Sequence, residues 1–179
     1  CCILAGARTL AGALVPLRGT APTNYGFVSG DYNRKTGLKG VNGSSKYLDT
    51  NRAANADPLN NVHMAVYESA HLSQLAGCLM GSFNGSTGGG NYTDMSFRWL
   101  VSPLTLYFSN RSDNYQSATT ANDRTGFYGS ARNNSSSFTI RSNNTSTTAN
   151  KASTTASSYS YLVFAGRQPV YSKPTVVEY

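Results

Sequence analysis

Apolar and polar positions alternate in short runs along most of this chain. In Val62–Ala70, Val62, Met64 and Val66 fall on one side, and His63, Ala65 and Tyr67 on the other. That period of two predicts a strand with one buried face. Ser137–Arg141 repeats the pattern, with Phe138 and Ile140 against Thr139 and Arg141. Gln74–Phe83 is apolar on both sides and predicts a central strand. Tyr159–Ala165 predicts another. Met95–Leu100 and Leu104–Phe108 predict a hairpin turning at Ser102-Pro103, and Gly126–Ala131 a short aromatic strand.

The stretch Thr23–Tyr67 organises the rest. It holds three strand-like pieces, Tyr25–Val28, Ser45–Leu48 and Val62–Tyr67. Ser29-Gly30-Asp31, Asn42-Gly43, Asp57-Pro58 and Asn60-Asn61 punctuate them. Asn and Gly accept positive φ, and Pro presets φ while lacking a donor. Residues 3–17 predict a short helix through Leu10, weakened by Gly6 and Gly12, and then an edge strand to Leu17. Asn84–Asn91 predicts an exposed loop, and Ser109–Asp123 is polar and turn-rich. Asn143–Ser158 contains only Asn, Ser, Thr, Ala and Lys. In isolation it reads as disordered, and between strands as a polar strand on a wet face. Thr175–Tyr179 is a candidate edge strand. The sum is about nine to eleven strands with turn signals every 8–12 residues, which predicts an all-β protein, an antiparallel sandwich or jelly roll.

Composition fits that reading. The 179 residues suit one domain, 1–179, with residues 1–20 as lead-in and edge strand and 168–179 as an atypical tail. Charged residues are only 13 %, so Ser, Thr, Asn and Gly must carry solubility. The net charge of +7 favours anionic partners. The basic residues are scattered, however, with Arg34-Lys35 the densest pair, and this argues against nucleic acid. The three cysteines, Cys1, Cys2 and Cys78, give no disulfide framework and no zinc spacing. No apolar run approaches a membrane span, and no membrane partner is expected. The chain starts at Cys rather than Met, so residue 1 reads as a processing site or a boundary.

The segments LAGARTLAGALVPL, FVSGDYNRKTGLKG, YLDTNR, ADPLNNVHMAVY, GFYGSARNNSSSFTIRSNN and YLVFAGR resemble a group of tailed-bacteriophage proteins. That group carries a concanavalin A-like, laminin-G-like jelly roll in tail-fibre or other virion structural proteins. The resemblance runs over roughly residues 4–167, and FVSGDYNRKTGL is its most specific part. It implies a virion location, a lectin-like scaffold, other virion proteins as partners, and a symmetric homo-oligomer with a trimer as the leading expectation. Gln168–Tyr179 departs from the group, whose members continue into another strand and a short helix. The resemblance implies no named site.

Glycan hydrolysis needs two opposed carboxylates, and the Glu-x-Asp-x-x-Glu of glucanases on this scaffold is missing. The glutamates are Glu68 and Glu178, while Asp94, Asp113 and Asp123 lie in polar stretches. His63 and His71 come without Gly-x-Ser-x-Gly. Gly88-Gly89-Gly90 lacks the residues of a phosphate loop. No cofactor is expected. Calcium is left open through Asp31, Asp49 and Asp57, whose alternative role is capping of turns. The Asn-x-Ser/Thr sites at Asn42, Asn84, Asn91 and Asn110 are a by-product of composition. Sugar binding through exposed aromatics remains. Trp99, Tyr92, Tyr107, Tyr115 and Tyr128 flank polar loops and are the expected contributors. The expected function is a non-enzymatic virion structural or adhesion protein, of tail-fibre or capsid-decoration type, contacting host-surface glycan through its loops. The alternatives are a polysaccharide-acting glycoside hydrolase and an anionic-polymer binder.

Overall fold

The computed structural model describes residues 1–40, 45–69, 77–84, 91–98, 105–113, 115–119 and 125–165. The chain is all-β with antiparallel sheets. Its strands are β1 (Thr23–Tyr25), β2 (Tyr32–Asn33), β3 (Gly37–Leu38), β4 (Tyr47–Ala53), β5 (Val62–Glu68), β6 (Gly77–Asn84), β7 (Asn91–Arg98), β8 (Thr105–Phe108), β9 (Gln116–Thr119), β10 (Gly126–Arg132), β11 (Phe138–Ser142), β12 (Thr145–Ala149) and β13 (Ser160–Val163). Seven of them form one sheet in the order β1-β4-β13-β6-β7-β8-β9. Four form a second, β12-β11-β10-β5, and β2 pairs with β3 alone.

One apolar core joins the two larger sheets. Leu48, Leu79, Leu106, Phe108 and Tyr161 come from the first, and Met64, Tyr128, Phe138, Ile140 and Ala149 from the second. The chain changes sheet repeatedly. It leaves the first after β4, returns with β6, leaves again for β10 and comes back with β13. The last described strand therefore lies between β4 and β6, where Leu162 is opposite both Asp49 and Gly81. The expected central placement of Tyr159–Ala165 is thus observed.

The N-terminal stretch departs from expectation. The helix is a single turn at Leu10–Ala13, capped by the Thr9 hydroxyl, which accepts from the Gly12 amide at 3.2 Å. Gly6, at φ +84°, precedes it. No strand runs to Leu17, so residues 1–20 contribute no edge to a sheet. The edge is β1, which stops at Tyr25 rather than extending to Val28. There Gly26 takes φ +85°, and the Asn24 side chain brackets Phe27, accepting from its amide at 3.0 Å and donating to its carbonyl at 2.9 Å.

The polar stretch after Asn143 resolves into two parts. Residues 145–149 form β12, an edge strand exposed at four of its five positions. The following residues form no strand but are tied to the body by main-chain bonds. Thr154 donates to the Arg111 carbonyl at 2.7 Å, Ser153 to Ser135 at 2.7 Å, and Asn55 to Ser157 at 2.9 Å. Two enclosed arginines hold this region. Arg111, at zero exposure, donates to the carbonyls of Ala54 and Pro58. Arg132 donates to the carbonyls of Asn110 (2.9 Å), Asn134 (3.1 Å), Ser137 (3.1 Å) and Lys151 (2.9 Å). Burial, and secondarily the Arg111 charge, lower the pKa of Arg132. Five planar donors suit a guanidinium to such a cage of carbonyls.

The loop 85–90, the turn at Ser102-Pro103 and the segment 175–179 lie outside the described residues. The hairpin partners themselves pair as expected, with Met95 opposite Phe108 and Phe97 opposite Leu106. Among the described residues, no helix is long and apolar enough to cross a membrane.

Candidate functional site

The outward face of the four-stranded sheet is set by strand alternation. In β5, Val62, Met64, Val66 and Glu68 turn to the core, which leaves His63, Ala65 and Tyr67 facing out. In β10, Tyr128, Ser130 and Arg132 turn inward, and Phe127, Gly129 and Ala131 lie on the outer face. In β11, Thr139 and Arg141 are outward. Register brings these into rows. Tyr67 stands opposite Phe127. Ala65, Gly129, Arg141 and Ser146 form the next row, and His63, Ala131, Thr139 and Thr148 the third.

This face has a distinct relief. Ala65 and Ala131 are exposed with little side-chain height, and Gly129 between them is buried. Tyr67, 65 % exposed, and Phe127, 43 % exposed, stand at one end. The Phe127 ring lies over Gly129, where an added Cβ would come within 3.2 Å of its edge. The rest of this face consists of Ala, Gly, Thr, Ser, His and Arg.

The turn after β11 sets the rim. Asn143, at φ +50°, donates its amide to the Phe127 carbonyl at 2.7 Å. Its side-chain oxygen accepts from the Phe127 amide at 2.8 Å, and its side-chain nitrogen donates to Thr125 at 3.1 Å. The Arg141 Nε donates to the Asn143 carbonyl at 3.1 Å. A single turn residue therefore fixes both the Phe127 backbone and the Arg141 guanidinium.

The aromatic residues singled out from sequence fall in different places. Tyr128 is a correction: at zero exposure it belongs to the core, because alternation turns it inward and its neighbour Phe127 outward. Tyr107 and Tyr115 are half-buried and meet edge-to-face, with ring centres 6.2 Å apart. Trp99 and the side chain of Tyr92 lie outside the described residues. The Phe127–Tyr67 pair was missed, although period two in β5 and β10 was the signal that could have found it.

Three of the described carboxylates, Asp31, Asp49 and Asp57, are engaged by groups of this chain, while Asp113 is exposed. Asp31 holds the Lys46 ammonium at 2.7 Å and accepts from the Val28 amide at 2.8 Å. Burial raises its pKa, but the Lys46 and Val28 hydrogen bonds and the Lys46 charge outweigh this and leave it below the ordinary value. Asp57 pairs with Arg52, and Asp49 accepts from the Asn51 amide at 2.7 Å, the capping role. The described residues contain no group of three His, Cys, Asp or Glu side chains that could hold a metal ion. Glu68 is enclosed at the core end of β5. His63 is exposed on the outward face, and His71 lies outside the described residues.

Compared with protein-family models, with curated proteins and with solved structures, the chain matches none.

Proposed function

We propose that this chain is a non-catalytic recognition module of a virion, of tail-fibre or capsid-decoration type, that contacts glycan on a host surface. In this reading its two sheets stack as a concanavalin A-like jelly roll. The observation that carries the glycan contact is the pair Tyr67 and Phe127, opposed across β5 and β10 and both open to solvent. Flat rings stack on the apolar face of a sugar, and neighbouring Thr and Ser hydroxyls bond its hydroxyl groups. The virion setting rests on the sequence segments described above, FVSGDYNRKTGL foremost.

Binding rather than hydrolysis is supported by the described carboxylates. Asp31 and Asp57 are engaged by cationic side chains, and Glu68 lies on the core side of its strand. The contact surface moves from the loops to the sheet face, because two exposed rings stand there on directly opposed residues. A shallow face of this kind binds weakly as a single copy. The symmetric oligomer expected from the resemblance, a trimer, would multiply weak contacts by avidity.

The test is a glycan array probed with the full chain, followed by Phe127→Ala and Tyr67→Ala. Loss of bound signal in both variants, with unchanged circular dichroism and melting, is the expected result. Binding that survives both substitutions would remove the sheet face from the mechanism. No binding to any glycan would leave an architectural role.

A further inference from the structure

The outward sheet face carries a cation fixed beside the aromatic pair, and that combination narrows the ligand. Arg141 lies opposite Gly129, the residue covered by the Phe127 ring. Its Nε is committed to the Asn143 carbonyl, so the guanidinium is held in place and its two terminal nitrogens remain available as donors. Arg141 is exposed and forms no ion pair with a described carboxylate. The other residues of the three rows are His63, Ala65, Tyr67, Phe127, Gly129, Ala131, Thr139, Ser146 and Thr148. None is acidic, so among the described residues this face carries positive charge without a carboxylate, on a chain of net charge +7.

Building on the glycan-contact reading, we infer that this face selects acidic saccharides. A sugar ring stacks on Phe127 and Tyr67 while its carboxylate is received by the terminal nitrogens of Arg141. A planar guanidinium matches the two oxygens of a carboxylate, which a lysine ammonium does not. The short side chains of Ala65 and Ala131 leave room for the ring to approach the sheet. A neutral glycan would use the rings alone and leave the cation without a partner.

The test measures binding of the full chain to uronic acid- and sialic acid-containing oligosaccharides, each paired with its carboxyl-reduced counterpart. The acidic member is expected to bind about tenfold or more tightly, the size of a charge-assisted hydrogen bond. Arg141→Gln should abolish that preference, read as the ratio of the two affinities. Arg141→Lys should recover only part of it. Phe127→Ala should weaken both members, which separates stacking from charge. Equal affinity for both members, unchanged by Arg141→Gln, would overturn acid selection and leave the glycan reading standing. No binding to either member would overturn both. Binding to a single-stranded oligonucleotide that falls steeply with salt and ignores Phe127→Ala would also overturn the inference, in favour of a general anionic-polymer surface.

Discussion

The Arg132 guanidinium lies 5.4 Å above the centre of the Phe138 ring while donating to four main-chain carbonyls. Those carbonyls belong to segments separated in sequence: the 109–112 bend, the 133–137 connection and the polar run after β12. One side chain thus knits three irregular segments to the core through its hydrogen bonds and through cation–π contact.

Arg132→Lys keeps the charge but cannot reach four carbonyls at once. Buried carbonyls left unpaired should cost about 2–4 kcal/mol. For a domain of this size that corresponds to a fall in melting temperature of roughly 5–15 °C. The local consequence is separately measurable. In the parent chain Lys151, half-buried and held through its carbonyl, should resist limited trypsin digestion. In Arg132→Lys, mass spectrometry should find early cleavage after Lys151. A variant that melts like the parent and remains uncut there would show that the cage is not what orders the segment.

Asp31 and Lys46 predict an acid-dependent stability. The folded pKa of Asp31 lies below its unfolded value, so its contribution is complete above about pH 4 and is lost as pH falls through the folded value. Asp31→Asn should therefore lower stability by a constant amount, roughly 1–2 kcal/mol, between pH 7 and pH 5. The gap between variant and parent should close toward pH 2. Urea midpoints collected across that range would check it, and a gap that widens in acid would contradict the assignment.

Gly126 and Asn143 should behave as one unit. Gly126 takes φ +129°, and a Cβ there would fall 1.8 Å from the Asn143 side-chain oxygen. Gly126→Ala should cost about 2–4 kcal/mol through backbone strain and displacement of that side chain. Asn143→Ala removes the obstacle but also the cap on Phe127. The double variant should thus be less destabilised than the two single losses added together, by about 0.5 kcal/mol or more. Additive losses in denaturant titrations would mean that the two residues act independently.

Much of the architecture was legible in the sequence because alternation is a local property. Val62–Glu68, Phe138–Ser142 and Ser160–Val163 sit near their predicted positions, since period two follows directly from the pleat. The stop at Tyr25 was less legible, because it depends on Gly26 adopting positive φ and on Asn24 bracketing Phe27. The candidate site was half legible. The sequence reading expected Tyr128 to be exposed, but alternation turns Tyr128 inward and Phe127 outward, and on a strand a shift of one residue exchanges core for solvent.

By itself, the sequence determined that β5, β11 and β13 are extended, which face of β5 and β11 is apolar, and that Asn, Ser and Thr outnumber charged residues. Only the tertiary structure decided that Tyr67 stands opposite Phe127, that Arg141 lies in the next row, and that the Arg132 guanidinium and the Arg111 carbonyl tie down the run after Asn143. Those relationships join residues tens of positions apart, and their energy comes from register and from buried hydrogen bonds. No local pattern encodes either, since both exist only once the strands have paired.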